Sequence, residues 1–550
     1  MSATIADDSD IIKNFNISEE AVTNTLAPES IAGVSERMIL IPSLMDSDFD
    51  VFDTMRIIID WAKKKENGSY NSVIISPSDR EAKKWEHVAD FIKGSEMVKE
   101  TVTGLQEGTI AGAFSFSNRY DGIDLPNSAC RLLILNGLPQ GTSVYELYRA
   151  RVLEGGSSLN RILAQRIEQG LGRGARGGSD YCVTVLVGST LTSWVSKSEN
   201  TAFLTNITKA QLKIGETISK QVADQSGLLE VILQCLNRSN DWLEYYSGQL
   251  PEELDKLTNN KTDIKLALLE RQAFDSWVDN NHTGATGKIN YFISKNPNIN
   301  KKEKGWIEQL NARIYYSWGN KEKANENQKN AYANNHNLLR PQTSPVSLPN
   351  MTITSQAQKI VDNIKKYDRK KGILDFIDTT SSYLVQQSTA HEFEEHFCQL
   401  GNLMGFNAER FDDDGIGPDI VLLLNNHTGL IIEAKSRKHP NTPFKKVVHG
   451  QLLVAEKWFE DNFSSIKEHI NVSIHPNQNA TKQSWPHDTK VLSYEKIDEM
   501  INDTKQLYEK LIESSLTNDS LLNYCQQILE KSQIKDEVFV ESYLTNFKII

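Results

Sequence analysis

The sequence predicts an α/β multidomain protein. Short apolar strands alternate with helical patterns in two separate stretches, 36–200 and 386–515, and the residues between them carry helical periodicity with few strand signals. The chain has 550 residues, which at about 100–200 residues per domain gives three or four domains. Its 39% apolar and 24% charged residues allow each to bury a core, which excludes a disordered, collagen-like or disulfide-scaffold protein.

In the first stretch Arg37–Pro42, Ser72–Ser76, Thr109–Phe116, Arg131–Asn136 and Tyr181–Val187 read as strands. They are short and apolar throughout, as in a parallel sheet covered on both faces. Asp53–Lys64, Asp79–Ile92 and Asn160–Gly170 read as the intervening helices. From 201 to 340 the pattern is helical, with Ile307, Leu310 and Ile314 on one helix face. Asn311–Asn330 resembles a helix–turn–helix pair, a single unit that does not establish a repeat array. Leu339–Asn350 holds three prolines and reads as a linker. A basic helix with Lys365, Lys366, Arg369, Lys370 and Lys371 follows, most simply a solvated face. Residues 386–515 read α–β–β–α–β–α, and 516–550 read as a helical tail with an uncertain end.

Lys and Arg number 60 against 72 Asp and Glu, a net charge of −12, so any nucleic-acid contact must be a local basic surface. No apolar run approaches the ~20 residues of a membrane span, and no signal-peptide pattern opens the chain. Cys130, Cys182, Cys235, Cys398 and Cys525 are scattered, with no CxxC pair. The expectation is a reduced, cytoplasmic protein with no membrane contact.

Three segments near the start form a first constellation. Arg119-Tyr120-Asp121-Gly122-Ile123-Asp124-Leu125-Pro126 is a loop after a strand, where Gly122 permits a tight turn and Asp124 is an acceptor for a ribose hydroxyl or an arginine. Gln169-Gly170-Leu171-Gly172-Arg173-Gly174-Ala175-Arg176 lies where a helix ends. Two arginines three apart can aim two guanidinium forks at one phosphate. The plain alternative is a Gly-rich loop with two solvated arginines. The third segment is Ser2-Ala3-Thr4.

In this order the segments resemble superfamily 2 helicases of the XPD/DinG-like group. Ser2-Ala3-Thr4 resembles motif III, Ser72–Ser78 motif IV, Asn118–Pro126 motif V and Gln169–Arg176 motif VI. The resemblance implies a remnant of a first RecA-like domain at 1–35 and the second RecA-like domain at 36–200. It implies ATP contacts from Gln169, Arg173, Arg176, Gly122 and Asp124, and nucleic-acid contacts from Thr4, Ser78 and Arg119. No G-x-x-x-x-G-K-[ST] exists; the lookalike Gly284-Ala285-Thr286-Gly287-Lys288 is too short and reads as a polar stretch between helices. The chain alone is therefore expected not to hydrolyse ATP well. A P-loop lobe would come from a separate chain, or from upstream sequence if Met1 is internal to a longer frame; the second is favoured.

The second constellation lies at 417–435. Gly417-Pro418-Asp419-Ile420-Val421-Leu422-Leu423-Leu424 is an apolar strand led by an aspartate, and Leu430-Ile431-Ile432-Glu433-Ala434-Lys435 is a second strand beyond a turn-rich Asn425–Gly429. Side chains alternate, so Glu433 and Lys435 share a face, with Asp419 near them. Two carboxylates on one edge suit Mg²⁺, which would polarise a phosphate and lower the pKa of a water. A hairpin with solvated charges is the plain alternative. With Phe393-Glu394-Glu395 on a preceding helix, the pattern resembles the PD-(D/E)XK nucleases in their restriction-endonuclease-like, Mrr-type form.

That resemblance implies a nuclease domain at 386–515 with Asp419, Glu433 and Lys435 as its signature. It implies Glu394 (or Glu395) as a further metal carboxylate, and Gln451 as an active-site glutamine unless it is an ordinary surface residue. Lys435, Arg437, Lys438, Lys445 and Lys446 crowd the strand exit and offer phosphates a positive surface, or form a solvated loop. Gly305-Trp306 through Ala331, with Leu338-Leu339-Arg340-Pro341, looks like the helical extension that follows the motor in some helicase–nuclease chains; it is assigned no chemistry. His391, His396, His427 and His449 read as structural or exposed. For Trp85, Trp458 and the Tyr315/Tyr316 pair, helix-face packing is the simpler reading than base stacking.

The expectation is a helicase–nuclease acting on DNA with Mg²⁺ and ATP, in foreign-DNA restriction or phage defence. The alternative is a nuclease whose remnant motor half only docks nucleic acid or a partner. A scaffold with both sites inactive is the third reading.

Overall fold

Parallel strands with both faces covered organise the first half of the chain. The computed structural model describes residues 9–23, 35–45, 50–64, 70–120, 122–139, 144–153, 157–175, 177–257, 264–335, 337–342, 355–411, 417–435, 439, 441–484, 486 and 488–550. It divides into two units, Met1–Ser347 and Leu348–Ile550.

In the first unit β1 (Glu36–Leu40), β2 (Ser72–Ser76), β3 (Asp90–Ile92), β4 (Ala113–Ser117), β5 (Leu132–Asn136) and β6 (Tyr181–Val187) form one sheet in the order β1-β6-β5-β2-β4-β3. Every neighbouring pair is parallel. Alternation along the strands splits the apolar residues between two cores. Ile39, Val73, Ile75, Phe116, Leu133 and Leu135 belong to one, and Met38, Leu40, Ile74, Leu132, Ile134 and Val185 to the other.

Two local expectations are corrected. Thr109–Phe116 does not run as one strand: Gly108 takes a left-handed φ of 68° and ends the helix Ser95–Glu107, so the Thr109 N–H bonds back to the Gly104 carbonyl. The strand starts only at Ala113. Asp79–Ile92 is not one helix either. Ser78 caps a helix of five residues, Asp79–Lys83, and Asp90–Ile92 pairs with β4 instead. Trp85, between them, is fully buried against Phe52, which removes it as a base-stacking residue.

Beyond β6 the chain is helical. Gln225–Leu236 and Asn240–Asp255 form one hairpin, Lys265–Val278 and His282–Lys295 a second, and Lys301–Ser317 and Lys321–Asn334 a third. Their turns share one design. A left-handed residue (Arg238, Asn280 or Gly319) precedes a capping residue (Ser239, Asn281 or Asn320). Each capping N–H donates to the carbonyl five residues back, at 2.9, 2.8 and 3.0 Å. The single helix–turn–helix unit legible in sequence is thus one of three such hairpins among the described residues. Gly284–Lys288 lies inside the second hairpin's second helix, not between helices: the Gly284 N–H donates to the Asn281 side-chain cap and the Ala285 N–H to the Asn281 carbonyl. Ahead of the sheet, Ser9–Phe15 is a helix whose Ile12 packs on Ile264 and Ala267.

The second unit is built on a mixed sheet. β7 (Asn407–Glu409), β8 (Ile420–Leu423) and β9 (Thr428–Ala434) are antiparallel, and β9, β10 (Glu468–Ile474) and a strand at Thr489–Leu492 are parallel. β11 (Asn479–Ala480) is separate, so Thr489–Leu492 is β12; its far edge pairs with β13 (Thr545–Asn546), and β11 pairs with β14 (Lys548–Ile549). The α–β–β–α–β–α reading therefore missed the short strands β7, β11 and β12. Lys365 ends the helix Gln356–Lys365, and Lys366–Lys371 form the connection to the helix Gly372–Tyr383 rather than a basic helix. Ile360, Ile364, Ile373 and Ile377 share one core with Phe393, Leu422 and Ile432, and with Cys525 and Phe539. All five cysteines are free and buried. Among the described residues no helix is long and apolar enough to cross a membrane.

Candidate functional site

The β8–β9 hairpin sets the acidic edge of the second unit. Asn425 Oδ1 accepts the N–H groups of His427 and Thr428, each at 2.9 Å, which folds the turn between the strands. The register pairs Ile420 with Ile432 and so brings Asp419 level with Glu433. Asp419 Oδ2 accepts the Ala434 N–H at 2.7 Å. Lys435 Nζ donates to Glu433 Oε2 at 2.8 Å and lies 3.8 Å from Asp419 Oδ2. Burial pulls the Lys435 ammonium down, but the charges of Asp419 and Glu433 outweigh it and hold its pKa above the ordinary lysine value.

Glu394 sits on the helix Ala390–Leu403 with 4% exposure. Its charge also acts on Lys435. Its carboxylate is bound by Arg410 Nη2 at 2.6 Å, and Arg410 Nη1 also donates to His391 Nδ1. Neither Arg410 nor this use of His391 was expected from sequence; the only signal is a cation after a short strand nine residues ahead of Asp419.

The structure thus brings Asp419, Glu433 and Lys435 into direct contact, with Glu394 nearby. Among the described residues no three His, Cys, Asp or Glu side chains are gathered closely enough to hold a metal by themselves. Two carboxylates whose oxygens already share one ammonium fit Mg²⁺, which binds through one or two carboxylates and fills its remaining positions with waters and phosphate oxygens.

Gln451 is exposed on the helix Lys446–Asn462, flanking the buried stripe of Val448, Leu452, Ala455 and Phe459. Lys445 and Lys446 are exposed at the start of that helix. Lys438 and Arg437 lie outside the described residues. Trp458 packs with Phe411 and Phe463.

In the first unit, Arg119, Gly122, Asp124 and Arg173 line one cleft of about 550 Å³ against Lys99 and Thr103 of the helix Ser95–Glu107. Arg173 Nε donates to the Tyr120 carbonyl at 2.8 Å and its Nη1 to the Ile123 carbonyl, so the second segment braces the first. Gly122 takes a φ of 76°, which a side chain would strain. The Asp124 carbonyl accepts from Gln106 Nε2 at 2.6 Å. Gln169 lies half-buried near the end of the helix Ser157–Leu171. Ser78 Oγ accepts the Glu81 N–H at 3.3 Å, a capping role. Thr4 and Arg176 lie outside the described residues.

No family model matches this chain, and no curated protein matches it either.

Proposed function

We propose that the second unit is a Mg²⁺-dependent DNA endonuclease of the PD-(D/E)XK type, joined to the second RecA-like half of a superfamily 2 helicase. One observation carries the nuclease reading. The hairpin presents Asp419 and Glu433 on one edge with Lys435 between them, 2.8 Å from one carboxylate and 3.8 Å from the other.

A divalent cation there supplies a Lewis acid for a phosphodiester oxygen and lowers the pKa of a water. The chain's own residues do the rest. Asp419 is held by the Ala434 N–H, which fixes its Oδ2. Glu433 sits at 5% exposure, so its charge acts through little intervening water. Lys435 brings a positive charge to where negative charge grows on a phosphate. Lys445 and Lys446 offer backbone phosphates a local attraction within an acidic chain.

The motor reading is supported by the parallel sheet and by the contact of Arg173 with the 120–123 loop. The residues present do not fit ATP by themselves: among the described residues no glycine-rich phosphate loop appears, and Gly284–Lys288 is helical. ATP would need a P-loop lobe from elsewhere. Arg173's use of two donors on loop carbonyls favours the second reading, in which this half docks nucleic acid or a partner without turning over nucleotide. Restriction of foreign DNA is the biological role proposed.

The deciding experiment is incubation of the purified chain with DNA and Mg²⁺. Cleavage is expected, and chelator or Glu433→Ala abolishes it. Unchanged cleavage by Glu433→Ala would remove the site.

A further inference from the structure

Glu394 and His391 stand three residues apart on the helix Ala390–Leu403, so both side chains lie on the same side of it. Arg410, the residue after β7, spans the two. It gives one guanidinium nitrogen to Glu394 Oε2 at 2.6 Å and the other to His391 Nδ1. The Glu394 side chain is 6% exposed and that of Arg410 15%. A carboxylate this dry needs a cation and fixed donors, and breaking such a pair costs far more than losing a surface contact. Arginine suits the place because its planar fork serves two acceptors in one geometry, whereas a lysine is a point charge.

We infer that Arg410 is a positioning residue that orients Glu394 toward the Asp419–Glu433 edge, and so sets that edge's affinity for a divalent cation. The inference rests on the nuclease reading and adds a second layer to it. Arg410 itself touches no reacting atom. It acts through Glu394, whose helix packs against β7 and β8, the strand that Asp419 leads, with Phe393 beside Glu394 sharing a core with Ile420 and Ile432. His391 holds the far side of the fork and keeps Arg410 from swinging away.

The test is calorimetric titration of the full chain with Mg²⁺, alongside the Mg²⁺ concentration for half-maximal DNA cleavage. Arg410→Ala is expected to weaken Mg²⁺ binding about 10–100-fold, the usual effect of losing a residue that orients a metal ligand. The Mg²⁺ requirement for cleavage rises by the same factor, while KM for DNA at saturating Mg²⁺ stays put. Arg410→Lys recovers part of the loss. Glu394→Ala gives the same deficit, and adding Arg410→Ala to it makes nothing worse, because the two act as one unit.

Wild-type Mg²⁺ affinity in Arg410→Ala, or additive losses in the double variant, overturns the inference. If Arg410→Ala does not fold, as judged by circular dichroism, Arg410→Gln and Arg410→Lys carry the same comparison. Glu433→Ala separates the two levels. If it cuts and binds Mg²⁺ normally the nuclease reading fails, whereas if only the Arg410 variants behave normally the fault lies with this inference.

Discussion

Lys435 and Glu433 form a charged hydrogen bond across two residues of one strand end, Nζ to Oε2 at 2.8 Å. The two side chains leave the sheet on the same face, so the ammonium occupies the space that a divalent cation would share with the carboxylates.

Competition follows from that placement. Lys435→Met should tighten Mg²⁺ binding at least about fivefold, since a unit charge about 4 Å away is worth at least about 1 kcal/mol. It should also abolish DNA cleavage. Titration calorimetry and a plasmid-nicking assay check the two halves. Weaker Mg²⁺ binding in the variant would contradict the placement.

Asp419 has a structural and a chemical duty, and they separate. Asp419→Asn keeps an acceptor for the Ala434 N–H and should leave the melting temperature nearly unchanged while stopping cleavage. Asp419→Ala loses both and should cost about 1–3 kcal/mol, because the N–H goes unpaired. Urea melts of the two variants give the comparison.

Arg173 braces the 120–123 loop, so Arg173→Ala should loosen that loop first. Faster amide hydrogen exchange over 120–125 and a loss of about 1–3 kcal/mol are expected. Basal ATP hydrolysis should stay at background in both proteins. Exchange that is unchanged in the variant would show that the brace is idle.

Burial lowers the Lys359 pKa to about 8, with Lys366 adding to the effect and Glu409 opposing it. The folded chain then binds fewer protons at this group than the unfolded chain between about pH 8 and the ordinary lysine value. Stability gained through this residue therefore rises with pH across that window and is lowest below it. Lys359→Met should flatten that part of the stability–pH curve. An identical slope in the variant would refute the assignment.

What the sequence disclosed followed physical range. Ser72–Ser76 and Tyr181–Val187 were legible to the residue because strands buried on both faces must be apolar throughout. Asp419, Glu433 and Lys435 were legible because alternation and a turn fix their relation locally. Thr109–Gly112 was misread because Gly108 takes a left-handed conformation that no apolar pattern announces. Asp90–Ile92 and Thr545–Asn546 are too short for any periodicity; only their partners make them strands. Arg410 escaped for the same reason, since its meaning lies in residues 16 and 19 positions away.

Thr545–Asn546 matters beyond its length. It lies along β12, and Lys490 Nζ fastens it by donating to Asn546 Oδ1 at 2.7 Å. Clipping the chain before Thr545 would bare an unsatisfied row of main-chain groups ready to recruit the same strand of another molecule. The same cut would take Phe547 off the Phe444 ring it stacks on, so a shortened protein would bare apolar surface beside that edge and stickiness would be its first symptom.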